Sequence, residues 1–296
     1  MGWRSAIITN PARLSCRDRQ LVVNVDDKDH TIAIEDLLFV VIDNRQVSVT
    51  APLLANLADV GTGLIVCDEK HLPCGVFLPL QQHTRCSEIA KIQAGMSLPF
   101  KKSCWKRIIQ QKIKNQAYCL CLNNRNGVEE LSHLVARVAT GDKSNIEALA
   151  ARKYWQFLFA EPFKRRADSV VNLALNYGYS IIRSTLAKAI VSKGLLPSFG
   201  LYHDNKLNPF NLADDLVEPF RPFVDNLVVA IYLDKEVQFE REQKAQLIDI
   251  INKQVLIGKE VMSISKAADT LASCFVDAMR NNNSKELLVP EFSCEC

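Results

Sequence analysis

No stretch of the 296-residue chain approaches the ~20 consecutive apolar residues of a membrane-spanning helix. The apolar run LLFVVI at 37–42 is short and β-branched, and it reads as a buried strand. The first residues, MGWRSAIIT, lack the layout of a signal peptide, and those after Gly2 do not fit a myristoylation pattern. The expectation is a cytoplasmic protein with no membrane partner. Ten cysteines are present, yet no CxxC pair occurs. Cys119 and Cys121 are two apart, as are Cys294 and Cys296, which is not the turn-type spacing of a structural zinc site. The thiols read as reduced and mostly buried. A phosphate loop of the form G-x-x-x-x-G-K-S/T is also missing. Gly61-Thr62-Gly63 precedes a strand rather than opening a helix, so it reads as a helix C-cap and turn. An excess of one charge sign is nearly absent too: 36 basic against 33 acidic residues leave +3, too little to argue for nucleic acid by itself.

What is there is an ordinary folded composition, 48% hydrophobic and 23% charged. The first eighty or so residues read as strands: AIITN (6–10), LVVNV (21–25), HTIAI (30–34), LLFVVI, LIVCD (64–68) and GVFLP (75–79), with Asp26–Asp29 as a hairpin turn. One helix, 51–61, interrupts them and stops at Gly61. From about residue 85 the apolar period changes to near 3.6 and stays there through 280. The expected fold class is therefore α+β: a β-rich domain over 1–84, a larger all-α domain over 85–280, and a loosely held tail over 281–296.

Basic residues cluster at Lys101, Lys102, Lys106 and Arg107, at Lys112 and Lys114, and at Lys164, Arg165 and Arg166. Each cluster alone reads as a solvated helix face; several beside an acidic site suit a metal centre acting on DNA. The acidic candidates lie in three segments. Glu147 ends Ser144-Asn145-Ile146-Glu147, which fits a capping box, but it shares a helix face with Ala151, Tyr154 and Leu158. His203 follows a proline- and glycine-punctuated link, LPSFGLY. In NLADDLVEPFRP (211–222), Asn211 suits an N-cap, while Asp214, Asp215 and Glu218 crowd one helix face. Pro219 then removes a backbone donor and kinks the helix beside the acids. Glu147, His203 and Glu218 together offer two carboxylates and an imidazole, donors for Mg²⁺ or Mn²⁺ with positions left for water and phosphate.

The order N-x-E-x-x-x-A-R-x-Y-W at 145–155, L-Y-H at 201–203 and NPFNLADDLVEPFRP at 208–222 resembles the CRISPR-associated integrase of spacer acquisition. The opening MGWRSAIITNPARLSCRDRQLVV and LIVCDEKHLP at 64–73 resemble its type II branch. The resemblance runs from Met1 to about Arg280. It implies an N-terminal β domain that mediates homodimerisation and a helical catalytic domain. Its metal and catalytic ligands fall on Glu147, His203 and Glu218, the last an Asp in many members. Asp215 and Tyr154 are expected behind these ligands, and Arg221, Lys164, Arg165 and Arg166 against DNA phosphates. The implied partners are double-stranded DNA, both spacer precursor and leader–repeat, and a small ferredoxin-like adaptation protein. Two integrase dimers would flank one dimer of that protein, with the type II effector nuclease as a further partner.

The expected reaction is transesterification by a DNA 3′-hydroxyl on a repeat-edge phosphodiester, with activity falling at acidic pH because His203 binds as neutral imidazole. A stand-alone metal nuclease and a catalytically silent DNA-binding scaffold are the competing readings.

Overall fold

Alternating and β-branched segments give the first part of the chain two sheets. The computed structural model describes residues 4–79, 83–159, 163–232 and 237–292, and the chain divides into units 1–84 and 85–296. In chain order the first unit holds β1 (Arg4–Ile8), β2 (Ala12–Arg17), β3 (Gln20–Val25), β4 (Lys28–Ala33), β5 (Leu37–Ile42), β6 (Val47–Val49), α1 (Ala51–Val60), β7 (Gly63–Cys67) and β8 (Pro73–Phe77). One sheet has the order β1-β5-β7-β8, with the first three strands parallel. The other runs β4-β3-β2-β6. As a central parallel strand, β5 is buried along its whole length, which is why LLFVVI shows no alternation. Leu14, Leu21, Leu53 and Leu57 are fully buried in the shared core. Asp26 and Asp27 turn the β3–β4 hairpin with φ of 49° and 60°, as a primed turn requires. Gly61 caps α1 at φ 79°, and a Cβ on Gly63 would lie 2.3 Å from the Phe39 ring. The glycines thus serve a cap and a close contact between paired strands.

Strands β2 and β6 were not among the expected segments. In β2 the inward residues are Ala12, Leu14 and Cys16, an alternation without β-branched residues to announce it.

The second unit is mostly helical. It contains α2 (Cys86–Ala94), α3 (Leu98–Leu122), α4 (Val128–Arg137), α5 (Ile146–Phe159), α6 (Val170–Ser192), α7 (Asn211–Leu216), α8 (Arg221–Tyr232), α9 (Arg241–Ile248), β9 (Gln254–Ile257), β10 (Glu260–Ser263), α10 (Ile264–Arg280) and β11 (Pro290–Glu291). Helix α3 is buried on nearly every side, with Ile108, Ile109, Ile113, Cys119 and Leu120 at zero exposure. It is the post around which α4, α5 and α8 pack. Among the described residues, no helix is long and apolar enough to cross a membrane.

Two expectations need correction here. The unit is not all-α, because β9 pairs with β10 and β11 in a three-stranded sheet. Within 238–256, where the helical period is expected to continue, the helix ends at Ile248 and the chain re-enters as a strand at Gln254. Val255, Leu256 and Ile257 are a β-branched and aliphatic run that Gly258, at φ 65°, turns into a hairpin. The tail is also held down through residue 292. Leu287 is fully buried, its carbonyl accepts from Arg107 on α3, and Phe292 stacks on Phe223 at 4.1 Å. Cys294 and Cys296 lie outside the described residues.

Candidate active site

The start of α5 places Glu147. Asn145 sits at φ 50°, and the carboxylate of Asp142, not Ser144, accepts from the amides of Ile146 and Glu147 at 2.9 Å. The expected capping box therefore does not form. Asp142 does the capping, and the Glu147 carboxylate is released to accept from Lys112 Nζ. Ala150, Tyr154 and Leu158 follow on buried positions, so the helix presents Glu147 at the edge of the core.

Glu218 is placed by a helix break. Helix α7 ends at Leu216, a 3₁₀ turn covers Glu218–Phe220, and α8 starts at Arg221. Pro219 has no N–H, and Asn115 of α3 donates to the Pro219 carbonyl at 2.7 Å, which satisfies the broken ladder from the side. The three acids of this segment do not share one face, contrary to the helical reading. Asp214 accepts from Arg183, Asp215 turns into the preceding loop, and Glu218 pairs with Arg221 at 2.9 Å and with Lys112 at 2.5 Å. Each carboxylate has its own cation or set of amides, so the like-charge repulsion is removed. Burial alone would raise the Glu218 pKa, but Arg221 and then Lys112 outweigh it and hold the group at about 2. Burial would likewise lower the Lys112 pKa, yet Glu218 and Glu147 keep it above its ordinary value.

His203 is fixed by the loop before α7. Asp215 is completely buried, and its two oxygens accept from the amides of Leu201, Tyr202 and His203. The same carboxylate accepts from His203 Nδ1 at 2.7 Å, which leaves the Nε2 lone pair for a cation. That hydrogen bond raises the His203 pKa against the effect of partial burial. Close approach here requires Gly200, where a Cβ would lie 2.3 Å from the His203 carbonyl oxygen and 2.8 Å from Asp215 Oδ2. Asn211, expected as an N-cap, is the first helical residue instead. Its amide donates to the carbonyls of Ser198 and Asn205, stapling the loop. The ring of His203 meets Trp105 edge-on at 5.9 Å and Tyr202 at 5.8 Å, while Trp105 and Tyr202 stack at 4.4 Å.

Glu147 and Glu218 open on one cleft of about 560 Å³. Lys112 and Gln116 of α3, Trp155 of α5, Tyr179 of α6, Arg165, Arg166 and Arg221 complete its wall. Four cations face two carboxylates there, a surplus of two positive charges that suits a phosphodiester. Arg165 is held by Asn176 at 2.8 Å and lies over the Tyr179 ring at 5.2 Å, and Arg221 lies over the same ring at 4.6 Å. Lys164 is exposed and does not line the cleft. Tyr154, expected behind Glu147, donates at 2.9 Å to buried Asp225, which also accepts from Tyr179.

Of the three expected ligands, then, two converge on one cation. His203 does not line their cleft, and among the described residues no three His, Cys, Asp or Glu side chains are drawn into a metal cage. The donors nevertheless fit a hard or borderline divalent ion: two carboxylates already share a positive group, and an imidazole is anchored through Nδ1 by a buried carboxylate. Sequence reading missed Lys112, Tyr179 and Asp225 as members of the site. A helical wheel finds Lys112, since it shares the α3 face of Trp105, Ile108, Asn115 and Cys119, all buried.

Residues 6–259 match the family model described as CRISPR associated protein Cas1. The chain is 40% identical over 294 residues to the CRISPR-associated endonuclease Cas1 of Neisseria meningitidis serogroup C, covering 98% of this chain and 97% of that one. A casposase bound to integration product shares the fold with a TM-score of 0.78 at 16% identity, over 95% of this chain and 92% of the casposase. A Cas6-RT-Cas1–Cas2 complex matches with a TM-score of 0.77 at 19% identity, over 99% of this chain and 36% of the matched one.

Proposed function

Because the chain belongs to the CRISPR-associated Cas1 family, we propose that it inserts spacer DNA into a CRISPR array by metal-dependent transesterification. The observation that carries this reading is the pairing of Glu147 and Glu218 around one cation in a cleft walled by arginines. In the reaction, a DNA 3′-oxygen forms a bond to phosphorus at the repeat edge as the repeat strand's own P–O bond breaks. One phosphodiester replaces another, so no nucleotide hydrolysis is needed. Arg165 and Arg166 bind non-bridging phosphate oxygens and hold the scissile group in the cleft. Arg221, through its bond to Glu218, fixes the direction of that carboxylate. Asp215 holds His203 through Nδ1, leaving Nε2 for the ion. Glu147, His203 and Glu218 would ligate Mg²⁺ or Mn²⁺, which when bound supplies Lewis-acid polarisation of the phosphate and stabilises the leaving oxygen.

The partners proposed are double-stranded DNA, a second copy of the chain and a Cas2-type protein, the last matching the assembly named for a solved relative. The test is strand transfer of a short duplex into a leader–repeat substrate with Mn²⁺ and the small partner. Joined products are expected, and they should disappear in Glu147→Ala and Glu218→Ala while DNA binding survives. Fragments without joints would mark a stand-alone nuclease; activity untouched by both substitutions would mark a scaffold.

A further inference from the structure

Two carboxylates from separate elements, Glu218 buried and Glu147 partly so, repel one another, and Lys112 is what allows them to face. Its side chain is 9% exposed, rises from the middle of α3, and contacts Glu147 Oε1 and Glu218 Oε2. The ammonium hydrogen-bonds Glu147 and sits 2.5 Å from Glu218 Oε2, so one cation occupies an oxygen of each carboxylate. Lys112→Met keeps a side chain of similar length without the charge.

With Glu147 and Glu218 read as the divalent ligands, on which this inference rests, ion and ammonium need the same oxygens. Charge adds to the conflict. The cleft already carries four cations against two carboxylates, and a divalent ion arriving alone would raise that surplus further. A DNA phosphate entering with the ion would offset it. We propose that Lys112 is a resident counter-cation that competes with the divalent ion for Glu147 and Glu218. It holds the two carboxylates together, then yields them when the ion and a DNA phosphate enter as a pair. Ion and DNA binding are therefore positively coupled, and the coupling is reciprocal.

The experiment titrates Mn²⁺ by calorimetry and by thermal shift into wild type, Lys112→Met and Glu218→Gln, with and without a short duplex. Lys112→Met should bind Mn²⁺ about tenfold more tightly than wild type in the absence of DNA and unfold at lower temperature without added Mn²⁺. In wild type, the duplex should tighten Mn²⁺ binding about tenfold; in Lys112→Met it should change little. Equal or weaker binding by Lys112→Met, with wild-type binding lost in Glu218→Gln, overturns the competition and leaves the ligand assignment standing. Mn²⁺ binding that survives Glu218→Gln, or none by wild type even with DNA, overturns the ligand assignment and the competition with it. If Lys112→Met does not fold, Lys112→Gln takes its place, and wild-type Mn²⁺ affinity that is indifferent to DNA overturns the proposal by itself.

Discussion

Asp225 is a carboxylate buried between two phenols, and its cost to the fold depends on pH. Burial raises its pKa from 3.8 to about 6, against the hydrogen bonds from Tyr179 and Tyr154 and the charges of Arg165 and Arg221. Between those two values the native protein binds more protons than the unfolded chain. Stability from this group is therefore full below pH 3.8 and declines as pH rises through 6, by at most about 3 kcal/mol. Asp225→Asn does not titrate. In urea unfolding, the stability of wild type relative to Asp225→Asn should fall by up to that amount between pH 4 and pH 7; a constant difference would refute the raised value. The same residue shows where reading by sequence stops. That Tyr154 faces inward from α5 follows from its spacing after Glu147, but its partner lies seventy-one residues away, a separation no local pattern encodes. The cap before Glu147 shows the opposite limit. Ser144 and Glu147 match a capping box letter for letter, yet Asn145 adopts a left-handed conformation and Asp142 reaches the amides first.

At the scale of elements, the change of apolar period near residue 85 located the start of the helical unit, and proline located the break at Glu218, because both signals are local. The contents of the helix faces were less legible. The cluster of Lys112 and Lys114 reads as a solvated helix face, but α3 is enclosed by its neighbours, and Lys112 and Asn115 are both buried. Asn115 does the work of a splice. Its amide donates to the Pro219 carbonyl at 2.7 Å and to the Pro290 carbonyl at 2.9 Å, while Gln111 donates to its oxygen. One side chain on α3 thus ties down the helix break that carries Glu218 and the last strand, β11. Asn115→Ala should lower stability by about 2–4 kcal/mol, since it orphans two buried carbonyls and leaves the Gln111 amide without its partner. Thermal unfolding measures that loss. Mn²⁺ binding should weaken in the same variant, because Glu218 loses its seat; unaltered Mn²⁺ affinity in a destabilised Asn115→Ala protein would separate the splice from the site.

For the whole molecule, the near balance of 36 basic and 33 acidic residues sets a different expectation from that of a strongly basic DNA-binding protein. Long-range attraction from +3 is slight, and at physiological salt it is screened beyond about 8 Å. Affinity for DNA must come from where the cations stand, and the cleft concentrates Lys112, Arg165, Arg166 and Arg221 in one wall. Lys164 and Arg166 are close in sequence and equal in charge, so the sequence ranked them together. The fold separates them: Arg166 lines the cleft and Lys164 does not. Each phosphate neutralised releases counterion, and losing one contact should reduce the slope of log affinity against log salt by about one. Arg166→Ala should therefore weaken duplex binding and flatten that slope, whereas Lys164→Ala should leave both nearly unchanged. Both are exposed residues without buried partners to disturb, so stability should stay within about 0.5 kcal/mol of wild type and the comparison reads binding alone. Equal salt slopes for the two variants would mean that phosphate is gripped by the protein's general surface and not by the cleft that holds Glu147 and Glu218.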